Sequence, residues 1–198
     1  MDKLKKWLPL IILGVILIWG YSTFKGFNNS AVTYQEDAKT HWSNVESSYQ
    51  RRADLIPNLV STVKGYAAHE SETLEAVIKA RASATSTKID PSNLTEENMA
   101  AYQKAQQGLS GALGRLMVVS EKYPDLKANT NFLELQSQLE GTENRINVER
   151  NRFNAMVNVY NKHIKVFPNS IFAGILNFEE MSRYKSAEGS EKAPDVKF

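Results

Sequence analysis

Residues 131–168 read NFLELQSQLEGTENRINVERNRFNAMVNVYNKHIKVFP. Phe132, Leu139, Ile146, Phe153, Tyr160 and Phe167 recur at intervals of seven, and Leu135, Thr142, Glu149, Met156 and His163 take the alternate position. Steps of three and four in turn are the seam of a helix packed on other helices. Asn131 is placed to cap its start, with Glu134 three residues on. About 35 residues of helix make an element more than roughly 50 Å long. Each large seam side chain contributes about 1.5–3 kcal/mol on burial, so this stretch predicts a helical bundle.

Upstream, Thr95 is the expected N-cap of a second helix. Glu96 and Glu97 favour the positive end of its dipole, and Leu94 with Met99 forms a hydrophobic staple. Tyr102, Ala105, Leu109, Ala112, Leu116, Val119 and Tyr123 give it a seam of its own. A first segment from Tyr34 to Ser86 repeats Trp42, Val45, Tyr49, Ile56, Leu59, Val63, Tyr66, Leu74 and Val77 at helical spacing, with a kink expected near Ala53 because Pro57 removes a donor. Pro91, Pro124 and Pro168 separate the segments. Beyond Pro168 a short apolar run, Ile171–Phe178, predicts a C-terminal helix capped by Ser170, and residues 185–198 have the composition of a disordered tail. The fold expected is all-α, an antiparallel bundle over residues 34–180 with three long helices and a short last one.

The N-terminus adds a different element. Residues 1–6 carry Lys3, Lys5 and Lys6, and no charge follows from Trp7 to Phe24. Eighteen residues at helical rise reach roughly 27 Å, enough to cross a bilayer's hydrocarbon core, and Trp7, Trp19 and Tyr21 lie near its ends. Residues 7–24 therefore predict a single transmembrane helix in contact with lipid, followed by a juxtamembrane linker at 25–33. A cleaved signal peptide competes, since Gly20-Tyr21-Ser22 is small-x-small, but the run is longer than a usual apolar core and no A-x-A follows. A buried soluble helix fits worse, because no face between Leu8 and Trp19 is polar. The lysine asymmetry predicts an N-terminus in the cytoplasm and a bundle outside it.

Composition excludes whole classes of function. The chain has no cysteine, which removes disulfides, thiolate metal sites and a lipid-modified cysteine. Net charge is +2 from 24 basic and 22 acidic side chains, mixed along the sequence, so no nucleic-acid partner is expected. Ala38, Tyr66 and Tyr160 stand three residues before His41, His69 and His163, where a di-iron bundle needs Glu. Gly108, Gly111 and Gly114 lack the Gly-Lys-Ser/Thr of a phosphate loop. No catalytic residue, metal site or cofactor is predicted, and the chain reads as a non-enzyme.

Charged residues do fall on the seams. Arg52 lies three after Tyr49 and seven before Leu59, so it points inward beside Arg51 and Asp54. Thr142 and Glu149 do the same from the third helix, among Glu140, Glu143, Asn144 and Arg145. Unpaired charges there would cost several kcal/mol, so these residues must find partners. They form either a structural polar layer that fixes helix register or a ligand or partner site.

Tyr49-Gln50-Arg51-Arg52-Ala53-Asp54-Leu55-Ile56-Pro57-Asn58-Leu59-Val60, Tyr123-Pro124-Asp125-Leu126-Lys127-Ala128-Asn129, Leu139-Glu140-Gly141-Thr142-Glu143-Asn144-Arg145-Ile146, Tyr160-Asn161 and Phe167-Pro168 together resemble the bacterial LemA family, from the N-terminal helix to about Phe178. The resemblance implies a transmembrane helix and an antiparallel helical bundle in the bacterial envelope, with no established enzymatic activity. The chain departs from the family's frequent Gly-Phe at Asn177-Phe178, and from its aromatic-acidic ending at Tyr184-Lys185. The expected function is a scaffold of the bacterial cell membrane that contacts another envelope protein, itself or the membrane surface, with Ile171, Phe172, Ile175, Leu176 and Phe178 as contact patch. The alternative is a ligand- or ion-sensing bundle built on Arg52, Glu143 and Glu149.

Overall fold

The protein is seen in a computed structural model that describes residues 2–185, with side chains from residue 7 onward. The expected tail at 186–198 and the side chains of Lys3, Lys5 and Lys6 lie outside the described residues. The chain is all-α: α1 (Asp2–Lys64), α2 (Ser71–Ser86), α3 (Glu96–Ser120), α4 (Pro124–Lys127), α5 (Thr130–Lys165) and α6 (Asn169–Leu176), with no strand among the described residues. It divides into two compact units. One joins the chain up to Ala38 with Met156–Met181, and the other joins Lys39–Ala155 with the segment from Ser182.

In the second unit one apolar core draws on four long helices: Ile56, Leu59 and Val63 of α1, Leu74 and Val77 of α2, Leu109 and Leu116 of α3, Phe132 and Leu139 of α5. Trp42, fully buried, lies against Tyr102 at 5.2 Å and Phe153 at 5.3 Å between ring centres. In α5 the buried positions follow the helix rather than the strict heptad. A straight helix drifts about 20° per seven residues, and Val157 and Ile164 are buried where Met156 and His163 are half-buried. Phe167, expected as the last seam residue, lies past the end of α5 and is 81% exposed.

Several boundaries differ from expectation for physical reasons. Residues 25–33 are not a linker; α1 continues through them without a break. The helix expected from Tyr34 to Ser86 is two, divided at Gly65–Glu70, where Ala67 N–H bonds Val63 O at 2.8 Å and Glu70 N–H bonds Ala67 O at 3.1 Å. Glu70 precedes α2 but makes no side-chain cap; its carboxylate accepts from Tyr123 O–H at 3.2 Å. Thr95 caps α3 as expected, accepting from Asn98 N–H at 3.3 Å. The cap of α5 is Asn129 rather than Asn131, its Oδ1 accepting from Phe132 N–H at 3.0 Å. Ser170 lies inside α6, which closes on Asn177 at φ 54°, a left-handed position that glycine or asparagine tolerates. That explains how asparagine can stand in the Gly-Phe pattern.

After α6 the chain is extended and ordered by side-chain amides. In the first unit Asn161 brackets Met181, donating to its carbonyl at 2.9 Å and accepting from its N–H at 3.0 Å, while Tyr160 O–H donates to Glu179 O at 2.9 Å. In the second unit Asn154 brackets Tyr184 in the same way, at 2.9 and 2.8 Å. Tyr184 O–H pairs with Tyr49 O–H at 2.7 Å and lies under the Arg150 guanidinium at 3.8 Å. Lys185, where the tail was expected to begin, pairs with Glu96 and holds its carboxyl below the usual range.

Pro57 is accommodated within α1. Its missing N–H leaves the Ala53 carbonyl one turn earlier without an intrahelical donor, and Arg81 of α2 supplies one, Nε donating to Ala53 O at 2.8 Å. Arg81→Leu should therefore cost about 1–3 kcal/mol, the penalty of a stranded buried carbonyl. In a Pro57→Ala background the intrahelical bond returns and the same change should cost clearly less. Urea titration of the four proteins reads the difference; equal costs in both backgrounds would break the link between Pro57 and Arg81.

Candidate functional site

Arg52 organises the polar interior of the second unit. Its side chain is 3% exposed. One terminal nitrogen donates to Ser110 Oγ and to Glu143 Oε2, both at 2.9 Å, and the other donates to Gln106 Oε1 at 2.9 Å and Gln106 O at 3.3 Å. The guanidinium also lies 4.9 Å from the centre of the Tyr49 ring, and its Nε has no partner. Gln106 extends the network to α2, Nε2 donating to Ala84 O at 3.2 Å. One side chain thus ties α1 to α3 and α5, and one glutamine adds α2.

The remaining candidates separate. Arg51, Asp54, Glu140, Asn144 and Arg145 are exposed, so they form no buried layer. Asp54 accepts from Gln50 at 2.7 Å and Glu140 from Gln136 at 3.1 Å, each on its own helix. Thr142 is buried but bonds its own helix, Oγ1 to Gln138 O at 2.7 Å. Glu149 is buried outside the Arg52 network, with Oε1 on Arg152 at 3.0 Å and Oε2 without a partner. Gln106 and Ser110, not among the residues expected from the sequence, complete the network. Gln106 carried a signal, since it stands four after Tyr102 and three before Leu109, and it is buried where the seam residue Ala105 is half-buried.

Two open grooves border this layer. One, of about 390 Å³, is lined by Arg52, Ser110, Leu113, Met117, Leu139 and Glu143. The other, of about 520 Å³, includes Glu46, Arg51, Asp54, Thr85, Lys88 and Gln106. Burial pushes the Glu46 carboxyl above its ordinary range, against the opposing influence of Trp42 and Lys88. Burial also raises Tyr49 and Tyr102, Tyr49 further through Tyr184, so these phenols stay protonated. The described residues hold no cluster of three His, Asp or Glu placed to bind a metal ion. Arg52 is saturated with protein acceptors on both terminal nitrogens, so the arrangement holds charge still rather than moving protons.

The expected contact patch divides within the first unit. Phe172 packs inward, 5.6 Å from the rings of both Phe24 and Phe27, and Phe178 meets Phe27 edge-on at 5.8 Å. Leu176 is half-buried, while Ile171 and Ile175 are exposed. His163 stacks on Phe27 at 5.2 Å and its Nε2 lies 3.3 Å from Phe27 O.

Comparison with known proteins places residues 41–198 in the LemA family. Magnetosome protein MamQ of Magnetospirillum gryphiswaldense is 30% identical over 173 residues, covering 79% of this chain. This chain spans 64% of that relative's length, less than two thirds. Magnetosome protein MamQ 2 of Paramagnetospirillum magneticum is 27% identical, with 89% of this chain and 71% of the relative covered. Protein LemA of Metamycoplasma hominis is 23% identical over 94% of this chain and 85% of its own length.

Two measurements test the electrostatics. Glu143→Ala should destabilise the fold by about 1–2 kcal/mol, a charged hydrogen bond discounted for a half-exposed carboxylate, whereas Glu140→Ala should stay within about 0.5 kcal/mol of the parent. Equal effects in urea titrations would refute the assignment. For Glu46, the folded state above the ordinary glutamate range holds an anion that the unfolded chain leaves in water. Its contribution therefore worsens as pH rises from the ordinary value toward the raised one. Glu46→Gln should raise the melting temperature at neutral pH, with the gain vanishing in acid; a gain independent of pH would contradict it.

Proposed function

The chain belongs to the LemA family, and from that premise we propose that it is a membrane-anchored, non-enzymatic helical scaffold or adaptor of the bacterial envelope. It works by contact with another envelope protein, a second copy of itself or the membrane surface. The observation that carries the reading is α1. Its apolar stretch is long and apolar enough to cross a membrane, with a mean hydropathy of 1.8 and no part of that window buried in the protein. Side chains such as Ile16, Leu17 and Ile18 are more than half exposed, which in water would be a large penalty and in lipid is none. The lysine distribution supports an N-terminus in the cytoplasm and a bundle outside it. The Arg52 bonds across three helices support a role in shape, and the names of the relatives are not those of enzymes.

A ligand- or ion-sensing role is the second reading, favoured by the groove of about 390 Å³ that Arg52 and Glu143 help to line. It requires a small anion or carboxylate that raises the melting temperature and loses that effect in Arg52→Lys.

For the scaffold, the full chain should remain with membranes through an alkaline carbonate wash, and a chain starting at Lys25 should be released. Photocrosslinking in intact cells should capture a defined partner or a dimer, and a C-terminal reporter should score outside the cytoplasm. A monomeric, partner-free protein would refute the contact role, and release of the full chain by carbonate would refute the anchor.

A further inference from the structure

We propose that α6 is an interfacial helix, lying on the bilayer that Trp7–Phe24 crosses, with its Ile171–Ile175 stripe and the Phe167 ring that precedes it in the headgroup–acyl boundary. The proposal rests on the anchor reading and adds a second membrane contact at a defined place. Phe24 is the last residue of the uncharged run, and the Phe172 ring meets it edge-on at 5.6 Å. That contact holds α6 at the level where the apolar stretch ends, and Trp19 and Tyr21, exposed side chains of the kind that favour the headgroup layer, lie within about a turn and a half of Phe24 along α1.

The faces of α6 are divided accordingly. Phe172 and Leu176, four apart, turn toward the protein, Phe172 on the rings of Phe24 and Phe27. Ile171 and Ile175, again four apart, form a second stripe about 100° around the helix, exposed by 53% and 66%, and Phe167, in the turn before the helix, is exposed by 81%. Eight residues reach only about 12 Å, too short to span, so a bilayer contact must lie along the surface. Asn177 ends the helix in the left-handed conformation, and Phe178 then meets Phe27. Lys25 follows the span, and Lys162 and Lys165 close α5 just before α6; all three are exposed, with Lys165 bonded to Glu180 at 2.6 Å. Cations beside an apolar stripe suit a headgroup layer. A second copy of the chain is a poorer occupant, because three side chains fall well short of the roughly 800 Å² per partner that stable interfaces bury.

The chain's lack of cysteine makes the test direct. Single variants Val15→Cys, Ile171→Cys, Ile175→Cys and Val118→Cys, all at exposed positions, are spin-labelled in the full chain and reconstituted in vesicles of phosphatidylcholine and phosphatidylglycerol. Collision with oxygen is compared with collision with a water-soluble nickel chelate. Labels at 171 and 175 should show an oxygen preference severalfold above that at Val118 and shallower than that at Val15. A water-like signal at 171 and 175 with a buried label at 15 overturns the proposal and leaves the anchor standing. Water-like signals at 15, 171 and 175 overturn both. Labels at 171 and 175 shielded from both reagents identify a protein occupant and overturn the proposal.

Discussion

A single guanidinium bonds across three helices of the second unit. Arg52 stands on α1 with both terminal nitrogens committed, to Ser110 and Gln106 of α3 and to Glu143 of α5. A buried cation repays its desolvation only through well-placed partners, and of the three guanidinium nitrogens only Nε is left without one. Sliding any one of these helices by a turn, about 5.4 Å, would break charged hydrogen bonds that apolar packing alone would not miss. Leucines and valines supply the packing between the helices; Arg52 adds directional bonds between three of them.

The same economy of partners recurs away from Arg52. Arg81 answers the carbonyl that Pro57 orphans, and Asn154 and Asn161 each bracket one backbone residue of the segment after α6. In each case a side chain supplies the donor or acceptor that regular secondary structure lacks at that point. None of these groups is poised to exchange a proton or bind a reacting atom. Much of the polar chemistry between these helices thus goes to satisfying backbone groups and to bonds from one helix to another.

Much of this was readable in the sequence because helices announce themselves through period. The α5 seam, the Thr95 cap, the uncharged N-terminal run and the inward direction of Arg52 all follow from spacing. The break after Lys64 carried a stop signal in Gly65 and the basic residue before it, but the start of α2 did not, because Glu70 makes no capping bond. Whether Arg51 or Arg52 turns inward follows from period; that Gln106 and Ser110 receive it does not, because the pairing depends on which helices meet. Phe172 and Ile171 are equally apolar neighbours, and only the rings of Phe24 and Phe27 decide which is covered. The extended segment after α6 has no periodicity at all, and its order comes from asparagines on another element.

Amide hydrogen exchange on Arg52→Leu, compared with the parent chain, tests most directly the claim that one buried cation aligns the bundle. Protection should fall together around Arg52 in α1, around Gln106–Ser110 in α3 and around Glu143 in α5. Loss confined to the α1 turn that carries the substitution would contradict it.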